Sequence, residues 1–327
     1  IGDEYFDASE QTNFRDLDMM LFGPKVGQAS AVFDAYWNSA AAVPIGALGE
    51  ASPTDLKRFL TETRQEALGE KASVYLARMQ RSDTLRAYVE QRLTPHWSHQ
   101  IEVVSDPPLK WKHDDQGDWL VTRLMKVLAS TQEKALLISP YFVPGEDGTR
   151  GLTGLVSDHQ AFVGVITNSL AANDVPAVHA GYGKYRKPLL AGGVHLYEVR
   201  ANPREETAGG NSLFGSSGAS LHTKAFLVDD HRGFIGSFNL DPRSAYLNTE
   251  MGVLFDDAGL AAALRGEYLR LAQPTISDWA FLSGDGELRW LDRTTAPAHV
   301  SKTEPGTSWF QRATVTVLGW LPIESQL

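Results

Sequence analysis

The sequence predicts an α/β fold, of the α+β kind, in which a mixed central sheet is flanked by helices and the chain is divided into two lobes. Short apolar runs alternate with helical segments through the second half of the chain, which is typical of a partly parallel sheet. A stretch around residue 16 resembles a stretch around residue 250, which indicates an internal repeat. The length of 327 residues is long for one ordinary domain and favours two lobes.

The first predicted unit, residues 1–48, supplies one strand and one helix to the first lobe. The apolar stripe of this helix consists of Val32, Phe33, Tyr36 and Trp37. Residues 49–95 are rich in charge and predict a helical linker. One face of the first linker helix carries Leu56, Leu60, Thr63 and Ala67.

Residues 96–273 are predicted to form the second lobe. Its first strands are expected at the apolar runs 101–104, 135–139, 162–167 and 194–199. The helix between the first two runs carries Leu120, Leu124, Val127 and Leu128. Residues 201–220 are rich in Gly and Ser and predict a loop, which acts either as a lid or as a linker.

A β-hairpin is predicted after this loop. Residues 221–228 alternate as a strand, so His222 and Lys224 point to the same face. The returning strand, residues 234–238, leads to Ser237 and Asn239, which are again two residues apart. The hairpin therefore brings a basic pair and a polar pair within reach of each other.

These four side chains suit attack on the phosphorus of a phosphodiester. The ammonium, hydroxyl and amide donors would neutralise charge on the non-bridging oxygens while the imidazole displaces the leaving alcohol. The chemistry needs no metal, and we predict no cofactor. The alternative is an ordinary polar strand and turn, because His-x-Lys alone is common whereas the full set is not.

The pattern H-x-K-x4-D-x6-G-S-x-N resembles the HKD motif of the phospholipase D superfamily. The resemblance implies a phospholipase D/nuclease-like fold with two pseudo-repeated lobes. It implies that His222 is the nucleophile or the acid/base, and that Lys224, Ser237 and Asn239 bind phosphate. Asp229 completes the motif and is grouped with the catalytic residues, although its strand face predicts that it holds the hairpin turn.

Glu250 lies in the next predicted strand, residues 248–255. The resemblance implies that its carboxylate orients the His222 imidazole through Nδ1.

The internal repeat predicts that the first lobe is truncated. Residues 14–21 match residues 248–255, and each stretch is followed by a helix. The alignment places the first HKD hairpin before residue 1, so Asp16 is predicted to be the orienting carboxylate of a missing histidine. The alternative is a chance acidic strand followed by an amphipathic helix.

Two segments, residues 139–145 and 167–188, resemble bacterial cardiolipin synthases, those of the C type in particular. The candidate contacts to the headgroup or lipid are Tyr141, His179, Tyr182, Tyr185 and Arg186, together with the neighbouring Lys184 and Lys187. The alternatives are a solvated basic helix face and a structural role for His179.

The resemblance implies transfer of a phosphatidyl group through a phosphohistidine. The implied partners are phosphatidylglycerol, phosphatidylethanolamine as a second candidate, the membrane surface and the missing N-terminal lobe. The implied location is the cytoplasmic side of the bacterial inner membrane, with peripheral attachment. A phosphodiesterase or nuclease and a catalytically incomplete lipid-binding fragment stay open as alternatives.

Composition limits these alternatives. The net charge of −10 argues against a non-specific nucleic-acid coat. The absence of Cys excludes disulfides and Cys-ligated zinc. Residues 274–327 predict a C-terminal hairpin followed by an apolar tail, which either lies in a membrane interface or packs on the domain.

Overall fold

The computed structural model of the chain describes residues 3–6, 12–49, 52–81, 83–92, 94–112, 116–201 and 218–327. The α-helices of these residues are α1 (Val26–Trp37), α2 (Pro53–Ala67), α3 (Glu70–Arg81), α4 (Asp83–Val89), α5 (Leu120–Ala129), α6 (Gly145–His159), α7 (Pro176–Ala191), α8 (Pro242–Tyr246), α9 (Ala258–Leu271) and α10 (Trp309–Gly319). Their strands are β1 (Thr12–Arg15), β2 (Ile101–Ser105), β3 (Lys134–Ile138), β4 (Phe162–Asn168), β5 (His195–Val199), β6 (Gly218–Leu221), β7 (Lys224–Val228), β8 (Arg232–Gly236), β9 (Met251–Asp256), β10 (Ser277–Leu282), β11 (Leu288–Asp292) and β12 (His299–Ser301).

One mixed sheet of ten strands forms the centre of the described chain, in the order β12-β11-β10-β5-β4-β3-β7-β8-β9-β2. Strands β3, β4 and β5 are parallel to one another. The strands on either side of this parallel part, β7 and β10, are antiparallel to it. The observed sheet confirms the predicted mixed, partly parallel sheet with flanking helices.

Helices cover both faces of the sheet. On one face, Leu124 of α5 and Leu189 of α7 share a core with Leu137 of β3. On the other face, Leu264 of α9 shares a second core with Leu136 of β3. Adjacent leucines of β3 thus enter opposite cores, as the two-residue period of a strand requires. Full burial of a leucine stabilises the fold by roughly 1.5–3 kcal/mol.

The predicted strand 221–228 is interrupted in the structure. Strand β6 ends at Leu221 and β7 begins at Lys224. The backbone N–H groups of His222 and Thr223, which lie between them, both donate to the carbonyl oxygen of Arg15, at 2.8 and 3.2 Å. Strand β6 pairs in parallel with β1 in a separate two-stranded sheet. The catalytic histidine predicted from the motif therefore lies at a junction between two sheets.

The described residues of the range 49–95 contain helices α2, α3 and α4, and the range 274–327 contains the antiparallel pair β10 and β11. No residue of helix α1 is buried by the part of the chain that the structure describes. Phe33 and Trp37 of its predicted stripe stack on each other, with ring centroids 5.6 Å apart. The predicted loop or lid lies mostly outside the described residues. The boundaries of the predicted lobes stay predictions. Within the described ranges, no helix is long and apolar enough to cross a bilayer.

Candidate active site

The β7–β8 hairpin positions the motif residues. Lys224 begins β7 and lies opposite Gly236, the last residue of β8, so Ser237 and Asn239 follow directly beside it. A glycine is required at position 236, because an added Cβ would lie 2.4 Å from the carbonyl oxygen of Met251. The close packing of β8 against β9 thus explains the glycine of the motif.

His222 is held by a segment from the N-terminal part of the chain. Its Nδ1 lies 2.7 Å from Oδ2 of Asp16. Its ring stacks on Phe14 with centroids 4.5 Å apart and meets Tyr5 edge to face at 5.2 Å. Because Nδ1 is occupied by Asp16, Nε2 is the ring nitrogen available for chemistry.

The predicted partner of His222 was wrong. The carboxylate is that of Asp16, and the reason is the register of β1 against β6. Arg15 lies opposite Leu221 in that parallel pair, so the next residues along, Asp16 and His222, meet. Asp16 therefore orients a histidine of the other predicted lobe, not one from its own.

The Asp16 carboxyl has a lowered pKa. Burial acts to raise the pKa of its carboxyl, but the hydrogen bond from His222 and the positive charges of His222 and Lys224 outweigh burial and hold the pKa below its usual value. A carboxylate at this position favours a proton on Nδ1 and stabilises an imidazolium.

Glu250 contacts other polar groups. Its carboxylate accepts hydrogen bonds from the Ser237 hydroxyl at 2.5 Å and from the Asn248 amide at 3.2 Å. Its backbone N–H donates to Asp106 at 3.0 Å. Glu250 precedes β9, which is separated from β7 by β8, and this separation explains why it does not take the place of Asp16.

Lys224 is a buried cation at the centre of the site. Burial lowers the pKa of its ammonium to about 8, although the negative charges of Asp16, Glu250, Asp174 and Asp241 act to raise it. Its ammonium donates to the carbonyl oxygen of His222. Lys224 therefore contacts the backbone of His222, and its charge also acts on Asp16, the partner of the imidazole.

Asn239 and Ser237 complete the polar lining. The backbone N–H of Ser237 donates to the Met251 carbonyl oxygen at 2.8 Å, and the backbone N–H of Met251 donates to the Ser237 hydroxyl at 3.0 Å. The backbone N–H of Asn239 donates to the Ser244 hydroxyl at 3.3 Å. Its buried side-chain oxygen has no hydrogen-bond partner among the described residues, which leaves an acceptor open to a ligand donor.

Asp229 does not belong to the catalytic group. Its carboxylate accepts from the backbone N–H groups of Gln132, Glu133 and Lys134 at 2.8–3.3 Å. It follows the far end of β7, roughly 16 Å along the strand from Lys224. Its φ of 49° belongs to the turn that joins β7 to β8. Its contacts are those of a residue that holds the turn.

Three of the predicted headgroup residues are buried instead of lining an approach. His179 lies 3.0 Å from Glu304, Tyr182 donates to Glu198 at 3.1 Å, and Arg186 pairs with both carboxylates. Helix α7 is enclosed between the sheet and the C-terminal segment, so its polar groups are neutralised inside the protein. The prediction for these three residues was wrong.

Tyr185, Lys184 and Lys187 are also paired. The first two bond to Glu324, and Lys187 lies 3.5 Å from Glu287. These pairs show that most of the predicted basic cluster is matched by carboxylates from the C-terminal part of the chain.

Tyr141 is the predicted headgroup residue that does lie at the site. The Ser139 hydroxyl donates to the Tyr141 carbonyl oxygen at 2.5 Å and accepts from the N–H of Leu240 at 3.0 Å. This contact places Tyr141 beside the loop of Asn239. The phenol donates to Asp174 at 2.9 Å, and burial together with that carboxylate raises the pKa of Tyr141.

Sequence reasoning missed a buried ion pair behind the site. The Lys110 ammonium donates to Asp106 at 3.0 Å and to the carbonyl oxygens of Ser244 and Asn248 at 3.0 and 3.1 Å. Both charged side chains are fully buried. The pair anchors the segment that leads to Glu250, and its only sequence signal is the spacing of four residues. Within the described residues, no group of three or more His, Asp or Glu side chains is arranged to hold a metal.

Comparison with known proteins places these residues in a family context. A family model described as "Cardiolipin synthase, PLD-like domain" matches residues 124–272. Cardiolipin synthase C of Escherichia coli (strain K12) is 35% identical over 334 residues, which cover 99% of this chain and 68% of that protein. An uncharacterized protein of Helicobacter pylori (strain ATCC 700392 / 26695) is 27% identical over 322 residues, which cover 95% of this chain and 61% of that protein. The crystal structure of phosphatidylserine synthase from Haemophilus influenzae Rd KW20 aligns with a TM-score of 0.48 and 14% identity, over 89% of this chain and 57% of that one.

Proposed function

The chain belongs to the phospholipase D superfamily, among the proteins similar to cardiolipin synthase C, and on that premise we propose that it carries one half of a phosphatidyltransferase active site. The observation that carries this proposal is the contact between Asp16 and His222. This contact engages Nδ1 of His222 and leaves Nε2 available for attack. The buried ammonium of Lys224 belongs to the same site.

In the proposed reaction, Nε2 of His222 attacks the phosphorus of a phospholipid. A nitrogen–phosphorus bond forms, the bond between phosphorus and the leaving alcohol breaks, and a second histidine gives its proton to the departing oxygen. An acceptor alcohol then loses its proton to that second histidine and attacks the phosphohistidine, which releases His222. Lys224 and Asn239 are proposed to contact the non-bridging oxygens, where negative charge develops.

Glu250 is proposed to orient the imidazole of the second histidine. The segment of Asn248, Thr249 and Glu250 matches Phe14, Arg15 and Asp16 in the internal repeat. Since Asp16 serves the histidine of the other lobe, the same arrangement assigns Glu250 to a histidine outside the second lobe. That histidine would come from a first-lobe HKD hairpin, and we propose that phosphatidyl transfer requires both histidines.

The proposed substrates are phosphatidylglycerol and, as a second donor, phosphatidylethanolamine, at the cytoplasmic surface of a bacterial inner membrane. The similarity to cardiolipin synthase C supports a lipid substrate, and the net charge of −10 supports it over nucleic acid.

Covalent labelling tests the proposal. A preparation that contains both motif histidines is incubated with vesicles of phosphatidylglycerol labelled at the phosphate. It is then denatured in alkali and examined for label that acid removes, as a nitrogen–phosphorus bond would require. We expect His222→Ala to lose the label and His159→Gln, at an exposed histidine, to keep it. Label that persists in His222→Ala contradicts the assignment.

Two other outcomes separate the alternatives. Vesicle binding without label or turnover, even when a first-lobe hairpin is supplied, would support a lipid-binding fragment. Turnover of DNA with no turnover of phosphatidylglycerol would support a nuclease.

A further inference from the structure

Helix α10 has an inner face that packs on the protein. It lies against α7, and an added Cβ at Gly319 would be in ordinary van der Waals contact with the carbonyl oxygen of Ala180, at 3.9 Å. Its N-terminus is closed by a capping box between Ser308 and Gln311. The helix is therefore fixed in place, and the side chains on its opposite side are presented in a defined geometry.

The opposite side, which we call the outer face of α10, is apolar and exposed. Trp309, Phe310, Val317 and Trp320 are 72%, 66%, 53% and 78% exposed. The two tryptophans are eleven residues apart, close to three helical turns, so they share one face and lie roughly 16 Å from each other. This arrangement reverses the usual one, in which the apolar side of a surface helix faces the core.

Charge is nearly absent from this segment. Arg312 is the only charged residue between 308 and 323, in a chain whose net charge is −10. Arg312 is half-buried, unlike Trp309 and Trp320, and its guanidinium donates to the carbonyl oxygen and hydroxyl of Thr307, at 2.7 and 3.0 Å. The outer face therefore offers no fixed charge by which a protein partner would be selected.

We propose that the outer face of α10 binds the interfacial region of a phospholipid bilayer, with the helix axis parallel to the membrane. Tryptophan favours the boundary between headgroups and acyl chains, and a tryptophan at each end of the stripe fixes both ends at the same depth. A continuous exposed patch of large apolar side chains promotes aggregation unless a binding surface covers it.

The position of α10 connects the proposed membrane contact to the candidate active site. After α10 the chain returns to the site, where the carbonyl oxygen of Leu327 accepts a hydrogen bond from the N–H of Arg243 at 2.6 Å. Arg243 belongs to α8, the helix that begins three residues after Asn239. Tyr246 and Leu247, at the end of α8, are exposed as well. Binding of α10 to a bilayer therefore holds the edge of the catalytic loop at the same surface.

The proposal goes beyond the proposed transferase chemistry, because the contact involves neither His222 nor its neighbours. It is tested with the purified chain and vesicles of phosphatidylcholine alone or mixed with an equal amount of phosphatidylglycerol. We expect Trp309→Ala/Trp320→Ala to weaken binding to both kinds of vesicle by about tenfold or more, since each indole would lose its burial in the interface. Trp97→Ala removes an indole that is 76% exposed elsewhere and should bind as the unsubstituted chain does.

Two further measurements make the result decisive. Lipids brominated on the acyl chain near the headgroup should quench the fluorescence of the unsubstituted chain more than that of the double variant. His222→Ala should bind both vesicles normally, which separates this proposal from the catalytic one. Binding of the double variant within about twofold of the unsubstituted chain would overturn the proposal. So would a dimer in solution that the double substitution dissociates, because the outer face would then be a protein interface.

Discussion

Asp16 and His222 are 206 residues apart in the chain, and their side chains meet at 2.7 Å between Oδ2 and Nδ1. The contact connects the N-terminal segment directly to the residues that precede the β7–β8 hairpin. Phe14, two residues before Asp16, stacks on the same imidazole. The N-terminal segment thus supplies both the hydrogen-bond acceptor and one wall of the histidine site.

Asp16→Asn should lower phosphatidyl transfer by roughly 10²–10⁴-fold, because the amide neither fixes the proton on Nδ1 nor stabilises an imidazolium. The measurement is cardiolipin formation from phosphatidylglycerol vesicles in a preparation that contains both motif histidines. The matched control is Asp18→Asn, an exposed carboxylate two residues away. A rate for Asp16→Asn within about threefold of the unsubstituted protein would contradict the orienting role.

Anion binding at the site should weaken as pH rises through about 8, the pKa to which burial lowers the Lys224 ammonium. The sign follows from the charge, since loss of the proton removes the cation that attracts the anion. Calorimetric titration with sulfate, which does not titrate in this range, gives the affinity at each pH. Lys224→Met should bind sulfate weakly at every pH, and a Lys224→Met protein with unchanged affinity would place the anion elsewhere.

Lys110→Met should destabilise the protein by about 3–5 kcal/mol, because it leaves the buried Asp106 carboxylate without its cation. Chemical denaturation measures this loss. Lys112→Met is the control, since that lysine is exposed and lies over the Trp111 ring. Adding Asp106→Asn to Lys110→Met should recover part of the loss, and equal stability of Lys110→Met and Lys112→Met would show that the pair contributes little.

Glu304 should make the folded state sensitive to acid. Burial acts to raise its pKa, but the hydrogen bond and charge of His179 and the charge of Arg186 lower it from 4.5 to about 2. A pKa depressed in the folded state gives stability that is complete above the unfolded value and is lost as pH falls through the folded value. The stability difference between the unsubstituted chain and Glu304→Gln should therefore be largest at neutral pH and shrink between about pH 4.5 and 2. Glu324→Gln serves as the comparison.

The sheet and most helices were predictable because they depend on local periodicity. Leu120, Leu124 and Leu128 are spaced by four residues and are all buried on one side of α5. The apolar runs at β3, β4 and β5 likewise predicted buried parallel strands. The motif also placed Lys224 beside Ser237 and Asn239, because a hairpin with a short turn brings its two ends together.

The partners of charged groups were not predictable, because they come from distant parts of the chain. The basic residues of α7 have the spacing of a solvated helix face. Arg186 is nevertheless buried, because it pairs with Glu198 and Glu304, which come from elements far away in the sequence. In the same way, the motif could not tell which carboxylate reaches His222. That choice depends on the pairing of β1 with β6, which no local pattern records.

The pairing of β1 with β6 also determines which mutations the site can tolerate. A point substitution in β1 changes one side chain. Deletion of one residue in β1 instead changes which residues of β1 lie opposite those of β6. Slippage by one position moves the carboxylate roughly 3.3 Å and turns it to the opposite face of the strand. Insertions and deletions within this short strand should therefore be far more damaging than replacements, because they separate Asp16 from His222.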